Sequence, residues 1–98
     1  MKPVRLHVDA RAELEAEALY YESRQPGLGF DFLAEVDIAL ARIAQGPERW
    51  QRAKYGTHRV NVGRFPFALF YMNTTDAAVV LAVAPHQRRP YYWRCRTP

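Results

Sequence analysis

The sequence predicts a small α+β domain in which a helical hairpin packs on one face of an antiparallel sheet. Three observations lead to this prediction. A short stretch near the N-terminus alternates apolar and polar residues, two stretches with helical periodicity follow it, and three strand-like stretches occupy the second half. The element order is therefore β-α-α-β-β-β. Because the chain has 98 residues, we expect one domain that spans residues 1–98.

The first half of the chain contains the predicted first strand and both helices. Residues 4–8 alternate apolar and polar side chains, which is typical of a half-buried strand. Asp9 is the predicted N-cap of a helix over residues 10–25. Leu28-Gly29 reads as a short turn before a second helix over residues 30–45. A link this short predicts that the two helices run antiparallel.

The second half is predicted to form three strands after a polar loop. The loop covers residues 47–57, and strands are expected over residues 58–62, 65–72 and 77–84. The last of these strands is continuously apolar, which indicates a central strand covered on at least one face. Its eight residues are the longest apolar run in the chain and fall far short of the ~20 that a membrane-spanning helix needs.

Charge is distributed unevenly between the two halves. Residues 1–49 hold six Lys/Arg and nine Asp/Glu, whereas residues 50–98 hold eight Lys/Arg and a single acid, Asp76. The second half also carries nine of the thirteen aromatic residues. Interleaved Arg and aromatic side chains suit single-stranded nucleic acid or the core of a protein interface, although a solvated basic face that maintains solubility is the alternative.

Several classes of site are excluded by the residues present. Cys95 is the only cysteine, so no intrachain disulfide can form, and no Cys/His spacing matches a zinc site. There is no glycine-rich phosphate-binding loop, and the N-terminus lacks the apolar core of a signal peptide. We therefore expect a cytoplasmic protein with no metal and no cofactor.

Four spaced motifs run through nearly the whole chain in a fixed order. They are Asp9-x4-Leu14-x3-Ala18-x2-Tyr21-Glu22, Gly27-Leu28-Gly29-x2-Phe32-Leu33-x2-Val36, Arg59-x6-Pro66-Phe67-x3-Tyr71 and His86-Gln87-Arg88-Arg89-Pro90-x2-Trp93-x2-Arg96. Together they resemble the RelE/ParE superfamily of toxins from type II toxin–antitoxin systems. The Phe-Pro-Phe strand and the His-Gln-Arg-Arg-Pro ending are more similar to ParE-like plasmid-stabilisation toxins than to RelE itself.

The resemblance implies a toxin with one of two activities. ParE-like members inhibit DNA gyrase, whereas RelE-like members are ribosome-dependent endonucleases that cut mRNA. In both groups an antitoxin wraps the toxin with its C-terminal segment. The resemblance favours gyrase inhibition here, with the metal-free endoribonuclease as the alternative.

If the nuclease alternative holds, Arg59, His86 and Tyr92 are the expected catalytic residues. RNA cleavage without a metal needs a base, a proton donor and cations around the phosphorane. RelE-like enzymes commonly place an Arg on the strand at the position that is Ala68 in this sequence. Because a methyl group cannot stabilise an oxyanion, this departure weakens the nuclease interpretation.

A second set of residues is expected to bind the antitoxin or the target. It consists of Lys54, Arg59, Arg64, Arg88, Arg89, Trp93 and Arg96. An acidic or amphipathic antitoxin segment would neutralise the basic half and cover apolar surface. We expect Arg59, Arg88 and Arg89 to contact that segment or the target. For the aromatic residues around Trp93, the alternative role is to fix the C-terminal segment onto the core.

Overall fold

A computed structural model describes residues 1–98 and confirms the predicted α+β class. The chain forms two helices and a five-stranded sheet. The elements are β1 (Val4–Leu6), α1 (Val8–Arg24), α2 (Leu28–Gln45), β2 (Gln51–Ala53), β3 (Thr57–Asn61), β4 (Phe67–Asn73) and β5 (Ala78–Pro85). The predicted order of strand, helical hairpin and strands is preserved, with β2 as one additional strand.

The strands lie side by side in the order β1-β5-β4-β3-β2. The strands from β2 to β5 pair antiparallel with their neighbours, as predicted. β1 is the exception, because it runs parallel to β5 with Val4 opposite Ala78 and Leu6 opposite Val80. The helical hairpin carries the chain away from β1, and the last strand returns beside it in the same direction, so the sheet is mixed at this edge.

β2 lies in the segment that was predicted to be a loop, so this part of the prediction was wrong. Gln51 pairs with Arg59 and Ala53 with Thr57, and a tight turn joins the two strands. The turn contains Gly56 at φ 71°. A strand of three residues, mostly polar, is too short to show an alternating pattern, which explains why the sequence did not reveal it.

Both helices begin earlier than the sequence predicted. The N-cap of α1 is His7 rather than Asp9, and the His7 Nδ1 atom accepts a hydrogen bond from the Asp9 N–H at 3.0 Å. Asp9 instead lies in the first turn, where its negative charge interacts favourably with the helix dipole. Leu28 and Gly29 belong to α2 and not to a turn, because residues 25–27 form the whole link between the helices, with Gly27 at φ 88°.

The sheet is covered on both faces. The larger core lies between the sheet and the helices, where Phe32 and Val36 of α2 pack against Leu69 and Val80. A smaller core lies on the opposite face beneath the C-terminal segment, which we define as residues 86–98, and Trp93 is buried there. The alternation along β4 and β5 therefore supplies apolar side chains to both cores.

Candidate functional site

A groove of about 170 Å³ opens on the sheet face opposite the helices. We call it the basic groove, and it lies between β3, β4, the end of β5 and the C-terminal segment. Its lining residues are Arg59, Ala68, Phe70, Ala84, Pro85, His86, Arg88, Arg89, Pro90, Tyr91, Tyr92 and Trp93. The three expected catalytic residues of the nuclease alternative thus lie around one groove, as do four of the residues expected to bind a partner.

Arg59 is held in place from two sides. Its Nε and Nη2 atoms donate to the Asn61 Oδ1 atom at 3.3 and 3.2 Å. Its guanidinium lies 5.7 Å from the centre of the Phe70 ring, which is the cross-strand neighbour. No carboxylate lies within ion-pair distance of Arg59. A fixed guanidinium without an acidic partner is a ready contact for an external anion.

The floor of the basic groove is apolar and uncharged. Ala68 of β4 and Ala84 of β5 are opposite each other in the sheet, and both are buried. Because both side chains are small, they leave an open groove between the larger side chains that line it. The floor therefore offers no cation at the position where the RelE-like pattern has an Arg.

A carboxylate from α1 fixes the C-terminal segment beside the groove. Glu13 accepts hydrogen bonds from the Val83 N–H at 3.0 Å, from the Tyr92 hydroxyl at 2.7 Å and from both terminal nitrogens of Arg96 at 2.9 and 3.1 Å. Arg96 also donates to the Leu81 carbonyl at 2.8 Å. Because β5 extends past its pairing with β1, these two side chains also satisfy the free edge of β5.

Tyr92 and Arg88 are coupled to the same carboxylate. The Arg88 guanidinium stacks 3.8 Å from the centre of the Tyr92 ring, and its Nη1 atom lies 3.9 Å from the Glu13 Oε2 atom. Burial and the hydrogen bond to Glu13 raise the pKa of Tyr92 well above its ordinary value. The Tyr92 proton is therefore firmly held, and its hydroxyl is already bound inside the protein.

The remaining predicted site residues lie in different environments. His86 is exposed at the rim of the basic groove, with its backbone N–H bound to the Pro66 carbonyl. Lys54 lies in the β2–β3 turn, with its Nζ atom 5.6 Å from the centre of the Tyr91 ring. Arg64 is not near the groove, because its guanidinium faces Asp31 and Glu35 of α2.

Two residues expected to bind a partner are occupied within the fold. Trp93 is only 1% exposed and packs 4.7 Å from Phe70, measured between ring centres. Arg96 makes its contacts with Glu13, Asp9 and the edge of β5. The structure thus assigns Trp93 and Arg96 to fixing the C-terminal segment, which was the alternative given for the aromatic residues.

The sequence did not single out Glu13, Asn61 or Phe70. Glu13 lies within the predicted first helix, where an acidic side chain is ordinary. Its partner Arg96 is 83 residues away, so no local spacing links the two. For Asn61 and Phe70 the usable signal is strand alternation, because both belong on the same sheet face as Arg59.

The comparison with protein families matches almost the whole chain. The family model described as the ParE toxin of type II toxin–antitoxin systems, parDE, matches residues 4–90. The chain belongs to the ParE toxin family. This confirms the resemblance drawn from the four motifs and its closer similarity to ParE than to RelE.

A solved structure supports the same fold for this ParE-family toxin. It is described as the chromosomal ParDE TA system from P. aeruginosa, and it aligns with a TM-score of 0.78 at 15% sequence identity. The alignment covers 87% of this chain and 96% of that chain. No curated protein matches the sequence closely enough to add to this result.

The helical hairpin of this ParE-family toxin has a second, apolar groove. We call it the hairpin groove, and it measures about 180 Å³. It is lined by Ala18, Leu19, Glu22, Gly29, Phe30 and Leu33. Leu19 and Phe30 are 72% and 74% exposed, which is unusual for large apolar side chains on adjacent helices. Contiguous exposed apolar patches are typical of surfaces that bind another protein.

The structure contains neither a cluster of metal ligands nor a helix that could span a membrane. No three His, Cys, Asp or Glu side chains converge as metal ligands would. Neither α1 nor α2 combines the length and apolarity required to cross a membrane.

Proposed function

We propose that this ParE-family toxin inhibits DNA gyrase in the cytoplasm and that a cognate antitoxin neutralises it. The family match supports the toxin class, and the floor of the basic groove favours gyrase over mRNA. Ala68, opposite Ala84 on the groove floor, places a methyl group where RelE-like enzymes have an Arg beside the scissile phosphate. The loss of one such group typically lowers the rate by roughly 10²–10³-fold.

The two grooves suggest different partners. The hairpin groove is apolar and exposed, so we propose that an amphipathic antitoxin segment covers Leu19 and Phe30. The cations around the basic groove are nearly free of acidic partners, so we propose that Lys54, Arg59, Arg88 and Arg89 face the complex of the target with its DNA. The two surfaces lie on opposite sides of the sheet, since the helices cover one face and the C-terminal segment covers the other.

The test is a gyrase assay with purified toxin that is free of antitoxin. Relaxed plasmid, gyrase and ATP are mixed with increasing toxin, and supercoiled and linear DNA are measured. We expect supercoiling to fall and linear DNA to accumulate. If excess folded toxin leaves supercoiling unchanged, the proposal is wrong.

Matched variants separate the two surfaces. Arg59→Glu with Arg89→Glu should abolish gyrase inhibition, whereas Arg11→Glu with Arg42→Glu makes the same charge change on the helices and should retain it. Phe30→Glu should retain inhibition of gyrase but escape the antitoxin. Circular dichroism of every variant shows whether the fold is intact.

A ribosome-dependent nuclease is the second candidate, because Arg59, His86 and Tyr92 do line one groove. It requires cleavage of mRNA on ribosomes by the wild-type toxin and loss of that cleavage in His86→Ala with an intact fold. Absence of cleavage alongside gyrase inhibition would remove this candidate.

A further inference from the structure

The cations around the basic groove are nearly free of acidic partners. No carboxylate lies within 4.0 Å of Lys54, Arg59 or Arg89, and the nearest carboxylate to Arg88 is that of Glu13 at 3.9 Å. Glu13 is already closer to Arg96, at 2.9 Å. We call Lys54, Arg59, Arg88 and Arg89 the basic face. Four positive charges gathered around one groove create a local potential that attracts a polyanion.

The basic face lacks the apolar anchors that a protein interface needs. Ala68, Phe70 and Trp93 on this side are buried, and the Tyr91 and Tyr92 rings are only partly exposed. Apart from Met1 and Tyr55, the exposed large apolar side chains belong to the helices, namely Val8, Leu19, Tyr20, Phe30 and Ile38. Protein partners bind through buried aromatic or aliphatic anchors, whereas phosphate backbones bind mainly through Lys and Arg.

The aromatic rings near the basic face are engaged with one another. The ring centres of Tyr91 and Trp93 are 5.5 Å apart, and the half-exposed Tyr55 lies edge-on to Tyr91 at 5.5 Å. No open stack of rings is left to receive unpaired bases, as single-strand binding requires. Duplex DNA hides its bases and presents a dense row of phosphates, so it matches a surface that offers cations alone.

We propose that the basic face binds the phosphate backbone of duplex DNA without sequence preference. Arg59 is the pre-ordered contact, because Asn61 and Phe70 already fix its guanidinium. This inference goes beyond gyrase inhibition, since the toxin would bind DNA without gyrase present. A toxin whose target is bound to duplex DNA would thereby contact that DNA directly.

The test is fluorescence anisotropy of a short labelled duplex of arbitrary sequence, titrated with purified toxin at several salt concentrations. Three to four phosphate contacts predict that affinity falls by roughly 40- to 150-fold between 50 and 200 mM salt. Replacing Lys54, Arg59 and Arg89 together by Gln should reduce the slope of log affinity against log salt by about 2.7. The control variant Arg11→Gln, Arg24→Gln, Arg42→Gln removes the same charge from the helices and should keep the wild-type slope.

Three outcomes would overturn the proposal. They are equal slopes for the two triple variants, tighter binding of single-stranded RNA than of the duplex, and tighter binding of a poly-glutamate peptide than of the duplex at the same salt. Thermal melting of each variant confirms that it is folded. The titration contains no gyrase, so failure to bind DNA would not show that the toxin fails to inhibit gyrase. Equally, a negative supercoiling assay would not show that the toxin fails to bind DNA.

Discussion

Glu13 is a single side chain that joins three distant parts of the chain. Its carboxylate connects α1 to the edge of β5 through Val83 and to the C-terminal segment through Tyr92 and Arg96. The carboxylate and the Arg96 guanidinium are only 15% and 17% exposed, so solvent screens their interaction weakly. Removing one member of such a pair leaves the other charge poorly solvated.

We expect Glu13→Gln to destabilise the fold by roughly 2–4 kcal/mol, because the Arg96 guanidinium would lose its countercharge. The measurement is the free energy of unfolding in urea, followed by circular dichroism. Glu15→Gln is the matched control on the same helix, where the side chain is exposed, and it should change stability by no more than about 0.5 kcal/mol. Equal effects of the two substitutions would contradict the role given to Glu13.

Two tyrosines with raised pKa values should make the fold less stable at alkaline pH. Burial raises the pKa of Tyr71 from 10.0 to about 12, and burial with the Glu13 hydrogen bond raises that of Tyr92 as well. Above pH 10 the unfolded chain releases these protons while the folded chain keeps them. The free energy of unfolding should therefore fall as pH rises from 10 towards 12, by about 1 kcal/mol per pH unit for each tyrosine.

Urea titrations at a series of pH values check this expectation. Tyr71→Phe cannot ionise, so it should lose less stability than the wild type over the same range, even if it is less stable near neutral pH. Tyr20→Phe is the control, because that ring is half exposed on α1. A Tyr71→Phe profile parallel to the wild type would show that Tyr71 does not keep its proton.

The two helices approach each other most closely at Gly29. A β-carbon built there would lie 2.5 Å from the Ala18 carbonyl oxygen, which is too close for any side chain. Glu22 of α1 also accepts hydrogen bonds from the Gly27 and Gly29 N–H groups at 2.9 and 3.0 Å. Gly29 thus allows α1 and α2 to pack closely, and the Glu22 carboxylate fixes the turn between them through its two backbone hydrogen bonds.

We expect Gly29→Ala to destabilise the toxin by roughly 1–3 kcal/mol, because the methyl group would push the helices apart. Helix propensity alone would predict the opposite effect, an increase in the free energy of unfolding by about 1 kcal/mol. Thermal unfolding distinguishes the two, and Gln45→Ala at the exposed end of α2 is a control for propensity. A higher melting temperature for Gly29→Ala would contradict the close approach seen between the helices.

The secondary structure was predictable where periodicity was strong. Helical periodicity identified α2, in which Phe32, Val36 and Ile43 are buried, and the apolar run of β5 identified a central strand. β2 was missed because three residues carry no period. The parallel pairing of β1 with β5 was missed because it joins segments more than 70 residues apart, and local patterns do not encode strand direction.

The candidate site was only partly predictable for the same reason. Arg59, Arg88 and Arg89 stood out through charge and through the family motif, and they do line one groove. Trp93 carried the same signals, yet it is buried, because an aromatic residue beside arginines serves a core as readily as an interface. The link from Glu13 to Arg96 depends on tertiary structure alone.

Across the whole molecule, stability depends on two separate cores. The C-terminal segment has no regular strand or helix, yet it covers much of one face of β4 and β5. Trp93 is the largest fully buried side chain of the chain and lies at the centre of that coverage. A domain of this size has only about 5–15 kcal/mol of net stability, so the smaller core is indispensable.

We expect Trp93→Ala to cost about 3–5 kcal/mol, which is a large share of the net stability of a small domain. Trp50→Ala is the matched control, because Trp50 is only partly buried at the edge of the larger core, and it should remain folded. Differential scanning calorimetry of both variants gives the comparison. A stably folded Trp93→Ala protein would contradict the importance of the second core.

The pairing of β1 with β5 has a consequence for how the toxin folds during its synthesis. Val4 can pair with Ala78, and Asp9 and Glu13 can form ion pairs with Arg96, only after those later residues have been synthesised. Residues made early therefore bind residues made near the end. Contacts of such long range slow folding and deny stability to a partial chain. A nascent chain interrupted before Arg96 therefore lacks the ion pairs that fix the C-terminal segment, and the basic groove is completed only after translation has passed that residue.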